Sequence, residues 1–545
     1  MSNITQNGGI IYIQQSGNNI QYQSNSTSGS WTNVSSWPVT IINSNPASGN
    51  ILTISLTTSL SISNTTVGTG TNGYFICGSS YITYDGTGKT ITINTVTNYP
   101  GLINNGTDLI NGYSNITVQN ILLTTISSTL VFRGGWICQS FFGNSSFNTL
   151  ISNCNVNSPI GPNDQCGGLC GRAFGQGNGT PNSSSALITG CSKTGLNNSP
   201  FGGAITSLRT GQLGGNVRIS NCYNTGAISN DCSGICGQQA GQDSGKVEII
   251  NCYNTGAISS NKGGICGSLA GLNNGIVSIL NCSNTGSIIG GNAGGICGLS
   301  AGENSGKISI TNCYNTGAIS GLYTGGICGS DAGNINGSIS ISNCYNTGAI
   351  SGNFSGGITS NWFGVNSNNL CSIINCYNTG NITGSNAGGI TGAEVGYNDN
   401  AIYVPKILIQ NCYSLGNIGT TCGGICGGTE GRTYTNMPVV NITNCYTTYN
   451  SIVNANSQYI STSLPTAVRN AIILKNVYSS LLSSWSDTNA NNALSGSQSI
   501  FRNSRLYKYY SNFGAVWYSN QNNTPFNLTS FLNTVPRRKR INNIL

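Results

Sequence analysis

The side chains with chemistry to offer in this 545-residue chain are 22 cysteines, 12 carboxylates and a basic run at the C-terminus; there is no histidine. Three C-x3-C pairs, Cys166/Cys170, Cys232/Cys236 and Cys422/Cys426, present thiols at a spacing that invites zinc. A structural zinc site needs four converging ligands, usually from C-x2-C turns. Counted in repeat units, the first two pairs lie two units apart, roughly 10 Å at strand spacing, and the third lies six units further on. No metal and no cofactor are therefore expected. The missing histidine also removes the commonest general base. Glycoside hydrolysis needs two carboxylates about 5–10 Å apart. Aligning the repeats puts Asp231 over Asn261, Asp243 over Asn273, Glu248 over Ser278 and Glu303 over Asn334, so no acid meets another at its own position. The nearest pairs are Glu303 with Asp331 and Asp243 with Glu248. No catalytic residue is assigned and the chain reads as a non-enzyme, with a polysaccharide-active enzyme as the alternative.

These residues are set in a repeat, clearest in residues 307–329, KISITNCYNTGAISGLYTGGICG. Its first Cys recurs at Cys154, Cys191, Cys222, Cys252, Cys282, Cys313, Cys344, Cys376, Cys412 and Cys445, mostly 30 to 33 residues apart and 36 or 37 where a loop has grown. A fixed period in that range marks a solenoid, in which each unit packs only on its neighbours. Strands such as VRIS, VEII and ISIT place Val and Ile at every second residue, the pattern of a strand with one buried face. Stacking the units predicts ladders of like side chains. Asn221, Asn251, Asn281, Asn312, Asn343 and Asn375 fall on the inward parity and are expected to bond amide to amide at about 4.8 Å intervals. Cys222, Cys252, Cys282, Cys313, Cys344 and Cys376 read as a packing column, because Ile121 and Val477 take the same place at the array's ends. Ile235, Ile265, Ile296 and Ile327 form a core ladder; the Cys that follows gives way to Thr206, Thr359 and Thr391 in other repeats, which rules out obligatory disulfides there. Adjacent-rung Cys nonetheless fall inside the Cα window of a disulfide, so oxidation could lock some rungs. Tyr223, Tyr253, Tyr314, Tyr345, Tyr377, Tyr413 and Tyr446 make an aromatic stack that covers the surface, or a stripe that binds sugar rings.

The expected architecture is all-β: a single-stranded right-handed parallel β-helix with rungs of about 30–33 residues, capped at both ends. Residues 1–100 form an N-terminal cap and irregular first rungs, 101–480 the regular array, 481–535 an aromatic and basic cap, and 536–545 a basic tail. With 13 to 15 rungs the rod would be roughly 65 to 70 Å long.

The unit G-G-I-C-G…A-G-x-N-x-G-x-I-x-I-x-N-C-Y-N-T-G-x-I-S-G resembles the GLUG repeat over roughly residues 130–450. That resemblance implies a right-handed parallel β-helix of the kind found in large bacterial surface and adhesin-like proteins. Cys stands where the repeat usually has Val. The YDGTGKTITI stretch resembles the opening turns of pectate-lyase-like β-helices, and an Asn-rich GLUG protein with no secretion signal resembles products of large DNA viruses that infect amoebae.

Charged residues are 6% of the chain. Seven of the 20 basic residues follow Asp487, the last acidic one, leaving 13 basic against 12 acidic in the rest. No charge precedes Asp85. The body is thus near neutral, and nucleic acid is expected only at Arg537, Arg538, Lys539 and Arg540. No run of about 20 apolar residues is present, so no membrane span is expected. The N-terminus lacks the basic and apolar regions of a signal peptide, which points to synthesis in the cytoplasm and exit by lysis or a non-classical route. The expected role is a structural or attachment element on a virion or cell surface, with other structural proteins or surface glycans as partners and a homotrimer as one assembly open to it. An intracellular scaffold using the basic tail is a further alternative.

Overall fold

The computed structural model describes residues 2–447 apart from 69–72, 162–164, 260–261, 399, 401, 420–421 and 429–437, together with the backbone of strands Ile472–Lys475 and Tyr478–Ser479. The expected C-terminal cap and the Arg537–Arg540 run lie outside these residues.

The chain is a parallel β-solenoid. One coil shows how sequence makes a turn of it. Lys307–Thr311 is a strand whose burial alternates, with Ile308 and Ile310 inward. Asn312 then takes a left-handed φ of 54°, a conformation Asn tolerates better than most residues, and turns a corner. Cys313 points inward, and Tyr314–Asn315 and Ile319–Ser320 form the next short strands. The Gly-Gly-Ile-Cys step closes the coil. Each strand pairs in register with its counterparts before and after it, so Ile310 stacks between Ile279 and Ile341. The short strands that carry the tyrosines build a sheet of 14 parallel strands, within the expected 13 to 15 rungs. Thirteen intervals at ~4.8 Å make it about 62 Å long.

At the N-terminal end Gly9–Ser16 pairs in parallel with Leu52–Leu56 and folds back in a hairpin on Asn19–Ser24, which in turn takes Thr32–Asn33. This antiparallel ribbon covers an edge that would otherwise offer unpaired backbone groups. Stacking runs through residue 100 without a change of pattern: Thr90–Asn94 pairs with Leu60–Ser63 on one side and Leu122–Ile126 on the other. Among the described residues the one helix is Asn64–Val67.

Two apolar cores run along the axis. The larger holds the long-strand Ile and Val residues, the Cys column and the Ile235, Ile265, Ile296 and Ile327 ladder, all buried. The smaller is built on Ile228, Ile258, Ile288, Ile319, Ile350 and Ile382. Along each coil the chain passes from one core to the other through a second Asn, two residues after the Cys. These residues, Asn224, Asn254, Asn284, Asn315, Asn346 and Asn378, are wholly inaccessible to solvent. Each Nδ2 donates to the carbonyl of the Gly two residues on at 2.8 Å. The same nitrogen donates to Oδ1 of the next Asn at 2.7 to 2.8 Å, from Asn224 through to Asn378.

The Asn before the Cys, expected inside, is outside in most coils, although Asn444 before Cys445 is buried. Asn221, Asn251, Asn281, Asn312 and Asn343 are exposed and Asn375 is half-buried. The left-handed corner breaks the two-residue alternation, so two successive residues, Thr311 and Asn312, face away from the core before Cys313 turns in. An amide ladder does form there, on the surface: Asn251 donates to Asn221, Asn281 to Asn251 and Asn312 to Asn281 at 3.1 to 3.2 Å, and Asn375 to Asn343 at 3.1 Å. It runs in the opposite direction to the buried one.

The two ladders should differ sharply on mutation. Asn315→Ala removes the acceptor of one Asn284 N–H, which keeps its bond to Gly286, and the donor to the Asn346 side-chain oxygen in a dry site, an expected loss of about 2–4 kcal/mol. Asn312→Gly keeps the left-handed corner and removes only a solvent-exposed bond, with an expected loss below about 1 kcal/mol. Denaturant unfolding of the two variants measures the difference, and equal losses would contradict the assignment of inner and outer ladders.

Candidate functional site

Three features of the fold bear on chemistry: the thiols, the carboxylates and the outward tyrosines. All 22 cysteines are buried thiols. In the Cys column the backbone N–H of one Cys faces Sγ of the next at 3.4 Å, as from Cys252 to Cys282 and Cys282 to Cys313. Each thiol also lies near the carbonyl two residues before it, 3.2 Å for Cys313 to Thr311. Burial holds the Cys344, Cys376 and Cys412 thiols well above their ordinary pKa, away from the reactive thiolate. In-register stacking keeps adjacent Cβ atoms near the ~4.8 Å rung spacing, longer than the ~3.8 Å typical of disulfides. Two of the C-x3-C pairs are split between the cores, Cys236 and Cys426 in the larger, Cys232 and Cys422 in the smaller. Among the described residues no group of three or more Cys, Asp or Glu is arranged to hold a metal ion.

The second Cys of the repeat forms a column of single backbone bridges, Cys138, Cys170, Thr206, Cys236, Cys266, Cys297, Cys328, Thr359, Thr391 and Cys426. Thr206 donates to Cys236 Sγ at 3.3 Å, whereas the buried hydroxyl of Thr359 has no hydrogen-bond partner. Cys suits this place because a thiol loses less than a hydroxyl when it goes unpaired.

Of the carboxylates, Asp243 accepts from Asn273 Nδ2 at 2.8 Å and Glu248 pairs with Lys246 at 2.8 Å, so these two acids do not act as a couple. Glu248 faces Ser278, as the repeat alignment requires. The partner expected for Asp231, Asn261, lies outside the described residues. Asp331 is different. It sits at a left-handed corner (φ 58°), takes a hydrogen bond from Ser330 Oγ at 2.8 Å, and lies one coil from Trp362, whose indole N–H donates to Glu394. Trp362 and Phe354 both stack on Tyr323, with centroids 5.7 and 5.4 Å away. Burial lifts Asp331 to about 6; the charge of Glu303 adds to the rise and the Ser330 hydrogen bond opposes it. The structure thus brings Glu303 and Asp331 within electrostatic reach of each other, across their offset in the repeat.

Lys193 is a site that the repeat pattern passes over. It occupies the buried Asn position one coil before Asn224, is fully buried, and donates from Nζ to the Gly195 carbonyl, as each Asn does to its own Gly. Burial lowers its pKa to about 7. The clue lay in SKTG standing where other repeats read YNTG.

The tyrosines of the repeat form near-parallel stacks, accessible from Tyr223 to Tyr345 and buried at Tyr377 and Tyr413. Tyr223 and Tyr253 lie 5.0 Å apart at 1°, and Tyr314, Tyr345, Tyr377 and Tyr413 follow one another at 4.8 to 5.0 Å and 3 to 4°. Tyr446 pairs through its backbone with Tyr413, and its side chain lies outside the described residues. The outer Asn ladder runs beside this stack, so the face offers amides and phenol rings at the same repeat. Among the described residues no helix is long and apolar enough to cross a membrane.

Comparison of the chain with protein-family models, with curated proteins and with solved structures finds no match in any of the three. The resemblance to GLUG repeats rests on the residues quoted for it.

Asp331 gives the fold a pH dependence of known sign. Its folded pKa lies above the 3.8 of an unperturbed carboxyl, so the stability it lends when protonated is complete below pH 3.8 and is lost as pH rises through 6. Asp331→Asn should therefore unfold like the parent at pH 3.5 and be more stable by about 3 kcal/mol at pH 7.5. Thermal unfolding at the two values checks this, and a variant less stable at pH 7.5 would contradict it.

Proposed function

We propose that the chain is a rigid attachment rod that works at the surface of a particle or cell and presents a neutral, repetitive polar face to its partner. The observation that carries this reading is the pairing of two surface ladders in the same register along one side of the solenoid, the Asn221 to Asn312 amides and the accessible rings of Tyr223, Tyr253, Tyr314 and Tyr345. A stack that fixes each side chain by its neighbours presents groups already ordered, so little conformational entropy is lost when a partner binds. Repetition at one spacing suits a polymeric or multivalent partner, since many weak contacts combine. The near absence of charge favours neutral surface glycans or other structural proteins over nucleic acid. The likeness of the repeat to those of adhesin-like proteins supports the same role.

A second reading, a polysaccharide-active enzyme, is favoured by one observation: Asp331, a carboxyl raised to about 6 beside Glu303, lies one coil from Trp362. A raised carboxyl next to a second acid is the electrostatic arrangement that general acid catalysis on sugars uses.

Immunogold labelling of intact particles and unpermeabilised cells of the source organism, together with binding of the purified full chain to the cell surface it meets, tests the first reading. Dense external label and saturable adhesion are expected. Label confined to permeabilised cells, or no adhesion, would overturn it. Release of reducing ends from a neutral polysaccharide by the parent chain and not by Asp331→Asn would carry the second reading in its place.

A further inference from the structure

The tyrosine ladder has a missing rung. In the register column Tyr223, Tyr253, Ser283, Tyr314, Tyr345, one position carries a side chain too small to stack. Tyr253 covers Tyr223 on one side, Tyr314 covers Tyr345 on the other, and between the two rings stands Ser283. The rings on the two sides of the gap are accessible: Tyr253 is 41% exposed and Tyr314 is half-buried.

The gap has definite dimensions. Rings in the intact ladder keep 4.8 to 5.0 Å between centroids, so two rungs set Tyr253 and Tyr314 about 10 Å apart. One six-membered ring placed over Ser283 would lie about 5 Å from each, the separation the tyrosines keep among themselves. The rim is polar and uncharged. The exposed amides of Asn251, Asn281 and Asn312 border one side of the column, and the exposed Thr255, Thr285 and Thr316 border the other.

We propose that this gap binds one neutral pyranose ring, held between the Tyr253 and Tyr314 rings in the place of the absent tyrosine. A pyranose has two C–H faces that pack on aromatic rings, and its hydroxyls project from the ring's edge. Its faces would meet the two tyrosines and its edge the Asn and Thr groups. An aromatic side chain in the same place would leave those amides and hydroxyls against a C–H edge, and a charged ligand would find no counter-charge among the lining residues. The inference rests on the attachment reading and deepens it, naming a neutral saccharide as the ligand and one interval of the ladder as its seat.

Ser283→Tyr fills the gap with the ladder's own side chain. Titration of the purified full chain with maltose, cellobiose, lactose and chitobiose, followed by saturation-transfer NMR and calorimetry, should show saturable binding of at least one of them. Ser283→Tyr should weaken that binding at least tenfold while its melting temperature stays level or rises, and Tyr253→Leu should weaken it similarly. Absence of binding by the parent chain, or equal binding by Ser283→Tyr, would overturn the proposal. If the parent and Ser283→Tyr adhere equally to cell surfaces, the gap is not the seat and the attachment reading stands; if neither adheres, the attachment reading itself fails.

Discussion

A buried primary amide must find partners for two N–H groups and one carbonyl oxygen, and in this solenoid it finds them only because every coil repeats the one before. Each inner Asn spends one N–H on its own turn, on the Gly two residues later, and the other on the next coil. An isolated coil would leave the second N–H and the carbonyl oxygen bare, at a cost of about 1–3 kcal/mol for each group. The ladder thus makes the coils interdependent. It also dictates the glycines: a Cβ on Gly295 would run into the Gly326 carbonyl and stand 2.6 Å from Asn315 Cβ. The Gly-Gly step is therefore the space the Asn column needs, and the two motifs of the repeat, Asn-Thr-Gly and Gly-Gly-Ile-Cys, are halves of one packing arrangement.

The remaining columns follow from the register this sets. Cys and Ile fill the larger core, a second Ile column fills the smaller, and corners with left-handed φ place Asn outside and Cys inside. Where the pattern lapses the structure shows it. At Ser414 the inner ladder ends on a buried hydroxyl with no partner, and at Lys193 an amine stands in for an amide at the other end. The lapses on the outer face, Ser283 among tyrosines and Trp362 with Asp331 at a neighbouring corner, are the places where this rod differs from a uniform surface.

Much of the architecture was legible in the sequence because the repeat is long and its apolar positions are strict. The parallel stacking and the Cys and Ile columns follow from spacing and alternation. Alternation carried through a corner puts the Asn before Cys on the wrong side, and only the left-handed φ at Asn221 and its equivalents shows that the count restarts there. Nothing in the spacing marks the Asn of Asn-Thr-Gly as buried, because its partners are a glycine carbonyl and an amide one coil away. The repeat alignment offers Asp331 and Glu303 as neighbouring acids, but the desolvation that sets Asp331 apart depends on how the corner loops pack, which no linear spacing encodes.

The interdependence of the coils rests on the inner ladder, and side-chain amide hydrogen exchange of Asn224, Asn254, Asn284, Asn315, Asn346 and Asn378 tests it most directly. With the chain labelled on asparagine nitrogen, these six amides should exchange only as slowly as the core backbone does, while Asn251 and Asn281 of the outer ladder exchange on the timescale of solvent-exposed amides. Fast exchange at the six inner amides would mean that they are not shut in a continuous dry ladder, and the explanation given for the Gly-Gly step and for the interdependence of the coils would fall with it.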